Sequence, residues 1–198
     1  LFGALAAAVP APTALQAQNY PTRPITIIVP FAAGGGGDIL ARMIGPKLEA
    51  RWGQSIVVEN RPGAGGNIGA TAAARAAPDG YTLLLAGSPQ FAVNVTLFKK
   101  LPYDPVTELT PLAMIAATPF VLVVNPSVPA KSVKEFIDYA KAQPQPLSYA
   151  TAGPGVPHHL YMELLKSITG IKADPVPYKG SVPALNDVVA GHVPVMFV

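Results

Sequence analysis

The stretch Ile25-Thr26-Ile27-Ile28-Val29-Pro30-Phe31-Ala32-Ala33-Gly34-Gly35-Gly36-Gly37-Asp38 decides the fold. Its first five residues are all β-branched, the pattern of a short strand buried on both faces. A glycine run follows. From Asp38 to Arg51, the residues Ile39, Leu40, Met43, Ile44 and Leu48 fall on one broad stripe, which predicts a helix with that stripe inward. Working outward, Ile56-Val57-Val58 and Thr82-Leu83-Leu84-Leu85 read as further strands. Between them an alanine-rich helical stretch, Ile68 to Ala77, stops at Pro78-Asp79-Gly80. This β-α-β-α-β run predicts a parallel sheet with right-handed crossovers.

A second series follows the first. Val121 to Val124 reads as a strand closed by Asn125-Pro126. Ser132-Val133-Lys134-Glu135 fits a capping box opening a helix with Val133, Phe136, Ile137 and Ala140 inward. Leu147 to Ala150 and Ala173 to Pro177 read as strands. A helix lies between them from His158 to Thr169, with Leu160, Leu164 and Ile168 on its inner side and Gly170 as its stop. Ser181 is expected to cap a helix through Ala190, and Val193 to Val198 starts another strand. The change between the two series falls within Thr110–Thr118. The expected organisation is a leader over 1–17, a first α/β lobe over 18–115 and a second over 116–198.

Composition narrows the class. Half of the 198 residues are hydrophobic, enough for a packed core, and only 13% are charged, against a usual ~25%. Fourteen basic and 11 acidic residues leave a net charge of +3 with no basic run, so nucleic acid is not an expected partner. There is no cysteine, which excludes a disulfide scaffold, a thiolate metal site and a cysteine nucleophile. Residues 1–22 carry no charge; Leu1 to Val9 is apolar, and Pro10 to Ala17 reads like the tail of a secretory signal, although Leu15 is not the small residue of a clean cleavage site. The competing reading, a membrane anchor, is opposed by Pro10 and Pro12, which cut the apolar run short of ~18 residues. A soluble, exported chain beginning near Gln18 is expected. At the other end, His192 to Val198 reads as a strand with nothing to finish it, so a truncated second lobe is expected.

Three glycine-rich loops carry the candidate chemistry. In the first, Pro30 to Asp38, bare N–H groups at a helix start can hold an anion; a tight strand-to-helix turn is the plainer alternative. A dinucleotide fingerprint starting at Gly34 or Gly35 would need glycine where Ile39 or Leu40 stands, and a Walker loop would need Gly-Lys-Ser/Thr, so a small carboxylate fits better than a nucleotide phosphate. Asp38 reads as the helix N-cap rather than a ligand contact. The second loop is Asn60-Arg61-Pro62-Gly63-Ala64-Gly65-Gly66-Asn67-Ile68-Gly69, where Arg61 either attracts an anion or is solvated or ion-paired. Both loops should converge at the carboxyl ends of their strands, where open α/β sheets bind ligands. The third is Thr151-Ala152-Gly153-Pro154-Gly155-Val156-Pro157, followed by His158 and His159. His159 and Glu163 have half the spacing of a metal site, but with no third ligand nearby a positioned or capping histidine fits better, and no cofactor is implied. Tyr178-Lys179-Gly180-Ser181 should also reach the cleft, with Lys179 either neutralising a carboxylate or exposed.

Several motifs in order then carry a family resemblance. Tyr20-Pro21-Thr22-Arg23-Pro24-Ile25, Pro30-Phe31 with Gly34-Gly35 and Asp38, Asn60 to Gly66, and Pro78-Asp79-Gly80-Tyr81-Thr82-Leu83-Leu84 resemble the Bug-type extracytoplasmic solute receptors. These are the substrate-binding proteins of tripartite tricarboxylate transporters. Gly153-x-Gly155 with His159-Leu160, and Tyr178-Lys179-Gly180 with Pro183-Ala184 and Asp187, extend the match across nearly all of 20–198. The resemblance implies a two-lobed periplasmic binding protein fold of type II character, each lobe a mainly parallel sheet flanked by helices. It further implies a monomer that closes on a small carboxylate (a di- or tricarboxylate or an acidic amino acid) and serves membrane transporter subunits. Carried onto this sequence, it points to Phe31, Ala32, Gly34, Gly35, Asp38, Ser88, Thr151, Ala152, Gly153, Tyr178, Lys179 and Gly180, with His159 counted beside them. Val156 stands where the family often has a small hydroxyl residue, so one polar contact is expected to be missing. The competing class is a secreted α/β hydrolase-like enzyme, but neither G-x-S-x-G nor H-E-x-x-H occurs, and nothing in the spacing joins Ser88 to His159.

Overall fold

Ile25–Val29 forms β1, and four of its five side chains (Ile25, Ile27, Ile28 and Val29) are buried at 3% exposure or less. Each such burial is worth ~1.5–3 kcal/mol, which makes this strand the spine of the first sheet. The computed structural model describes residues 19–198, so the leader expected over 1–17 lies outside the described residues. β1 pairs in parallel with β2 (Ile56–Asn60) on one side and β3 (Thr82–Leu84) on the other, giving the order β2-β1-β3. The βα alternation thus produced the parallel sheet expected of it. Helices α1 (Gly36–Trp52) and α2 (Asn67–Ala74) are the crossovers.

The start of α1 differs from expectation. Gly35 is the N-cap, and Asp38 lies in the first turn. Asp38 reaches back instead, its Oδ2 accepting the Gly34 N–H at 2.8 Å while Arg42 Nε approaches at 3.1 Å. This is the acidic half of a capping box without the hydroxyl half. The inward stripe also differs. Ile39 and Met43 are 51% and 62% exposed, and the helix meets the sheet through buried Ala41 and Gly45. The packing is close there: a Cβ on Gly45 would stand in van der Waals contact, 3.6 Å from the Ile56 side chain.

The second sheet has the order β4-β7-β5-β6, from Leu122–Val124, Val195–Phe197, Leu147–Thr151 and Ala173–Pro177. β5 is parallel to β6 and β7, and β4 is antiparallel to β7. Its core packs Tyr149, Val195 and Ala173 against Phe136 and Ala140 of α4 (Val133–Ala142) and Met162 of α5 (Pro157–Thr169). The Ser132 cap is present, with Oγ accepting from Glu135 N–H at 3.2 Å, although Val133 points outward. In α5 the expected inner stripe is the outer one: Leu160, Leu164 and Ile168 are 37%, 55% and 73% exposed. The helix instead presents Met162 and Leu165, a competing apolar pair three residues apart. Ser181 is the first residue of α6 (Ser181–Ala190) rather than its cap, which is Gly180.

Three pieces of helix add to the expected set: a 3-10 turn over Ala64–Gly66, a π-type turn over Pro89–Val93 and α3 (Asn94–Leu97) after β3. Residues 109–121, between the two sheets, carry no helix or strand. Among the described residues, no helix is long and apolar enough to cross a membrane.

Replacing Asp38 by alanine should lower stability by ~1–2 kcal/mol in denaturant unfolding, because Gly34 loses its acceptor. The hydrogen bond from Arg42 holds the Asp38 carboxyl below its ordinary range, so its contribution is present above about pH 4 and fades as pH falls. The alanine variant should therefore lose part of the acid-side slope of stability against pH.

Candidate functional site

Five loops leave the carboxyl ends of parallel strands, and those after β1, β2, β5 and β6 face one another. β1 leads into Pro30–Gly35, β2 into Arg61–Gly66, and β3 into Leu85–Ser88; across from them β5 leads into Ala152–Val156 and β6 into Tyr178–Gly180. Between them lies a cavity of about 260 Å³, lined by Phe31, Gly63–Gly66, Ala152–Pro154 and Pro177–Lys179. A larger recess, about 400 Å³, is lined by Val124, Pro126, Val128–Lys131 and Glu135. It follows the end of β4, the one antiparallel strand, and so lies at the far end of its sheet from every glycine loop.

Of the expected site residues, Phe31, Ala152, Gly153, Tyr178 and Lys179 line the cavity. Ala32, Gly34, Gly35 and Gly180 do not; they make the contact between the lobes beside it. A Cβ on Gly180 would stand 2.9 Å from Ala32 Cβ, one on Gly35 3.3 Å from Ser181 Oγ, and one on Gly34 3.4 Å from Val182. Asp38 is occupied with Gly34 and Arg42, and the Thr151 hydroxyl donates to the Gly153 carbonyl at 3.0 Å, so both shape loops from behind. Ser88 is exposed and outside the lining. The Tyr178 hydroxyl donates to Asp187 at 2.6 Å, which pushes it up to about 12 and leaves its ring as a wall. Lys179, an exposed residue, is the single charged side chain among those lining the cavity. Arg61 is ion-paired with Glu59 at 2.8 Å.

The two histidines differ. His159 Nδ1 accepts the Gly155 N–H at 3.4 Å, its ring stacks on Tyr149, and its Nε2 lies 3.9 Å from Glu163. It positions the third loop, and among the described residues no group of three potential ligands gathers to hold a metal. His158 meets Phe120 edge-on at 5.1 Å, and its Nδ1 is buried without a partner. Burial holds His158 neutral, down to about 4. Val156 is the N-cap of α5, with no side-chain bond to the helix. Its carbonyl accepts from His159 N–H at 2.9 Å and Leu160 N–H at 3.1 Å.

The second glycine loop was expected at the cleft but not counted among its contacts, and it contributes four lining residues. What holds it was missed altogether. Gln90 and Asn94, both fully buried, donate to the Gly65 carbonyl at 2.8 and 3.3 Å. Asn94 also donates to Asn67 Oδ1 at 2.6 Å, and the Tyr103 hydroxyl donates to the Gln90 carbonyl at 2.8 Å. A polar pair at i and i+4, just beyond the Ser88 that was singled out, is the available sequence signal.

Comparison with known proteins gives a consistent picture. Residues 40–198 match a family model described as "Tripartite tricarboxylate transporter family receptor". The chain is 42% identical over 180 residues to Protein BugT of Bordetella pertussis, which covers 90% of this chain and 55% of that protein. Among solved structures, an R. palustris protein with adipate superposes with a TM-score of 0.87 at 41% identity, and MatC from Rhodopseudomonas palustris with bound malate with 0.84 at 37%. Each covers 90% of this chain and 60% of the other. The periplasmic binding protein BugD superposes with 0.85 at 38% identity. The two-lobed periplasmic binding protein fold is therefore the fold of this chain. The chain spans a little over half the length of the relatives it matches.

Two outcomes follow from this geometry. Gly180 has an extended backbone (φ 164°), so Gly180→Ala tests spacing alone; it should weaken the contact between lobes by ~1–3 kcal/mol, seen as a larger radius of gyration in small-angle scattering. Between pH 6.5 and about 4 the unfolded chain binds a proton that folded His158 refuses, so stability should fall as pH drops through that window. His158→Leu should flatten the fall in melting temperature.

Proposed function

We propose, from the premise that this chain belongs to the tripartite tricarboxylate transporter receptor family, that it captures a small carboxylate between its lobes and does not catalyse a reaction. The observation that carries this reading is the lining of the 260 Å³ cavity: glycine-rich backbone from both lobes with one ammonium, that of Lys179. A carboxylate in such a space would be held by N–H groups and helix starts, and by few charged side chains. The size suits a short-chain acid, in line with the adipate and malate found with two structural relatives. Phe31, Ala152, Gly153, Tyr178 and Lys179 are assigned to the ligand. Ala32, Gly34, Gly35 and Gly180 are assigned to closure, and Asp38, Thr151 and His159 to loop support. The lobe boundary is placed at 115/116, inside the segment free of helix and strand.

The same reading makes the protein periplasmic, monomeric and a donor of its ligand to membrane transporter subunits. Closure around the ligand would present a joined surface of both lobes to those subunits.

A thermal-shift panel on the intact protein tests the proposal. A rise in melting temperature with one class among mono-, di- and tricarboxylates and acidic amino acids is expected, since ligand stabilises the form that binds it. A flat carboxylate panel with a nucleotide response overturns it. Lys179→Ala should cost ~1–3 kcal/mol of binding by calorimetry, the worth of a charge-assisted hydrogen bond.

A further inference from the structure

We infer that Gln90 and Asn94 are positioning residues for the ligand: they hold the Gly65 carbonyl inside the first lobe and so turn the Gly65 N–H toward the cleft. The inference rests on the reading of the cleft as a carboxylate site. Ala64, Gly65 and Gly66 have φ of 49°, 63° and 89°; the two glycines reach these values freely and are correspondingly mobile unless held, while Ala64 bears a cost of its own. Two amide donors on one carbonyl supply the restraint. The cluster is closed on its far side. Gln90 Oε1 accepts the Gly87 N–H at 3.1 Å, Asn67 Oδ1 accepts from Asn94, and Tyr103 fixes the Gln90 backbone. Gln90 and Asn94 are 0% exposed, and Asn67 and Tyr103 are 4%. The fit leaves no slack: a Cβ on Gly66 would collide with Gln90 Nε2.

The other side of Gly65 faces the second lobe. Its nitrogen lies 3.8 Å from where a Cβ on Gly153 would stand, and a Cβ of its own would lie 2.8 Å from the Pro154 carbonyl. With the carbonyl drawn inward, the nitrogen is turned toward the gap between the two loops, beside the cavity that both line. Asn94 also faces the opposite loop. Its Oδ1 is buried without a partner and faces Gly155, whose added Cβ would stand 3.2 Å away. One side chain thus holds the ligand loop from beneath and abuts the loop that closes on it.

Gln90→Met keeps the length of the side chain and removes its donors. In the ligand-free intact protein, backbone amide exchange over Gly63–Asn67 should speed up at least tenfold in this variant while the strands keep their protection. Calorimetry with adipate and malate should show affinity at least tenfold weaker for whichever the unaltered protein binds, and the Gly65 amide resonance of the unaltered protein should shift on saturation. A folded variant with unchanged exchange or affinity, or a Gly65 amide indifferent to ligand, overturns the inference. If the unaltered protein binds no carboxylate, the cleft reading fails and this role falls with it; the exchange arm then shows separately whether the loop restraint is real. Should Gln90→Met not fold, Asn94→Ser carries the same two expectations, and affinity within twofold of the unaltered protein overturns them.

Discussion

The lobes of this protein meet at places where a Cβ cannot stand. Gly65 lies against the Pro154 carbonyl, Gly155 against Leu97 and Asn94, and Gly180 against Ala32. At each contact one lobe brings bare main chain against the other. The rest of the cleft follows from that constraint. Beside Phe31, Tyr178 and Lys179, the groups that face the cavity are peptide dipoles, and α1, α5 and α6 all begin directly after the loops that supply them. A chain with 13% charged residues can in this way handle an anion without a cluster of arginines. Preorganised dipoles also need little rearrangement when the charge arrives.

Much of the fold was legible because it depends on local pattern. β1 and β2 came from β-branched runs and β3 from an apolar leucine run, and the three glycine loops announced strand-to-helix turns that the structure contains. What failed was the choice of face. In α1 and α5 the sequence offers two apolar stripes, and helical periodicity cannot say which one meets the sheet. Packing decided it, through small Ala41 and Gly45 in α1 and through Met162 in α5, and left Ile39, Met43, Leu164 and Ile168 outside. Caps failed for a related reason. Asp38 and Ser181 are good capping residues, but Gly35 and Gly180 hold those places because the opposite lobe comes too close for a side chain.

The site was legible by loop and not by residue. The resemblance placed Phe31, Ala152, Gly153, Tyr178 and Lys179 at the cleft, and they line it. It could not tell lining from contact between the lobes for Ala32, Gly34, Gly35 and Gly180, because that depends on how two separate sheets approach. It pointed after β3 to Ser88, an exposed residue, when the side chains that reach the cleft loop from there are Gln90 and Asn94. Buried amides carry no periodic signal; in sequence they are indistinguishable from surface amides. Their role shows only when the carbonyl they hold is seen.

The order β4-β7-β5-β6 bears on how the chain comes to be folded. The three described strands of the first sheet all lie within Ile25–Leu84, so they can pair while later residues are still being synthesised. The second sheet cannot. Its interior place is taken by Val195–Phe197, more than seventy residues after β4, and until those residues emerge β4 and β5 have no strand between them. Loop closure over that distance must precede the pairing that rewards it. A ribosome making this polypeptide would thus hold a paired first sheet beside a second with an open seam, its apolar Tyr149 and Phe136 awaiting a cover. In the interval before β7 arrives, that seam is where chaperones would bind and where two nascent chains could exchange strands.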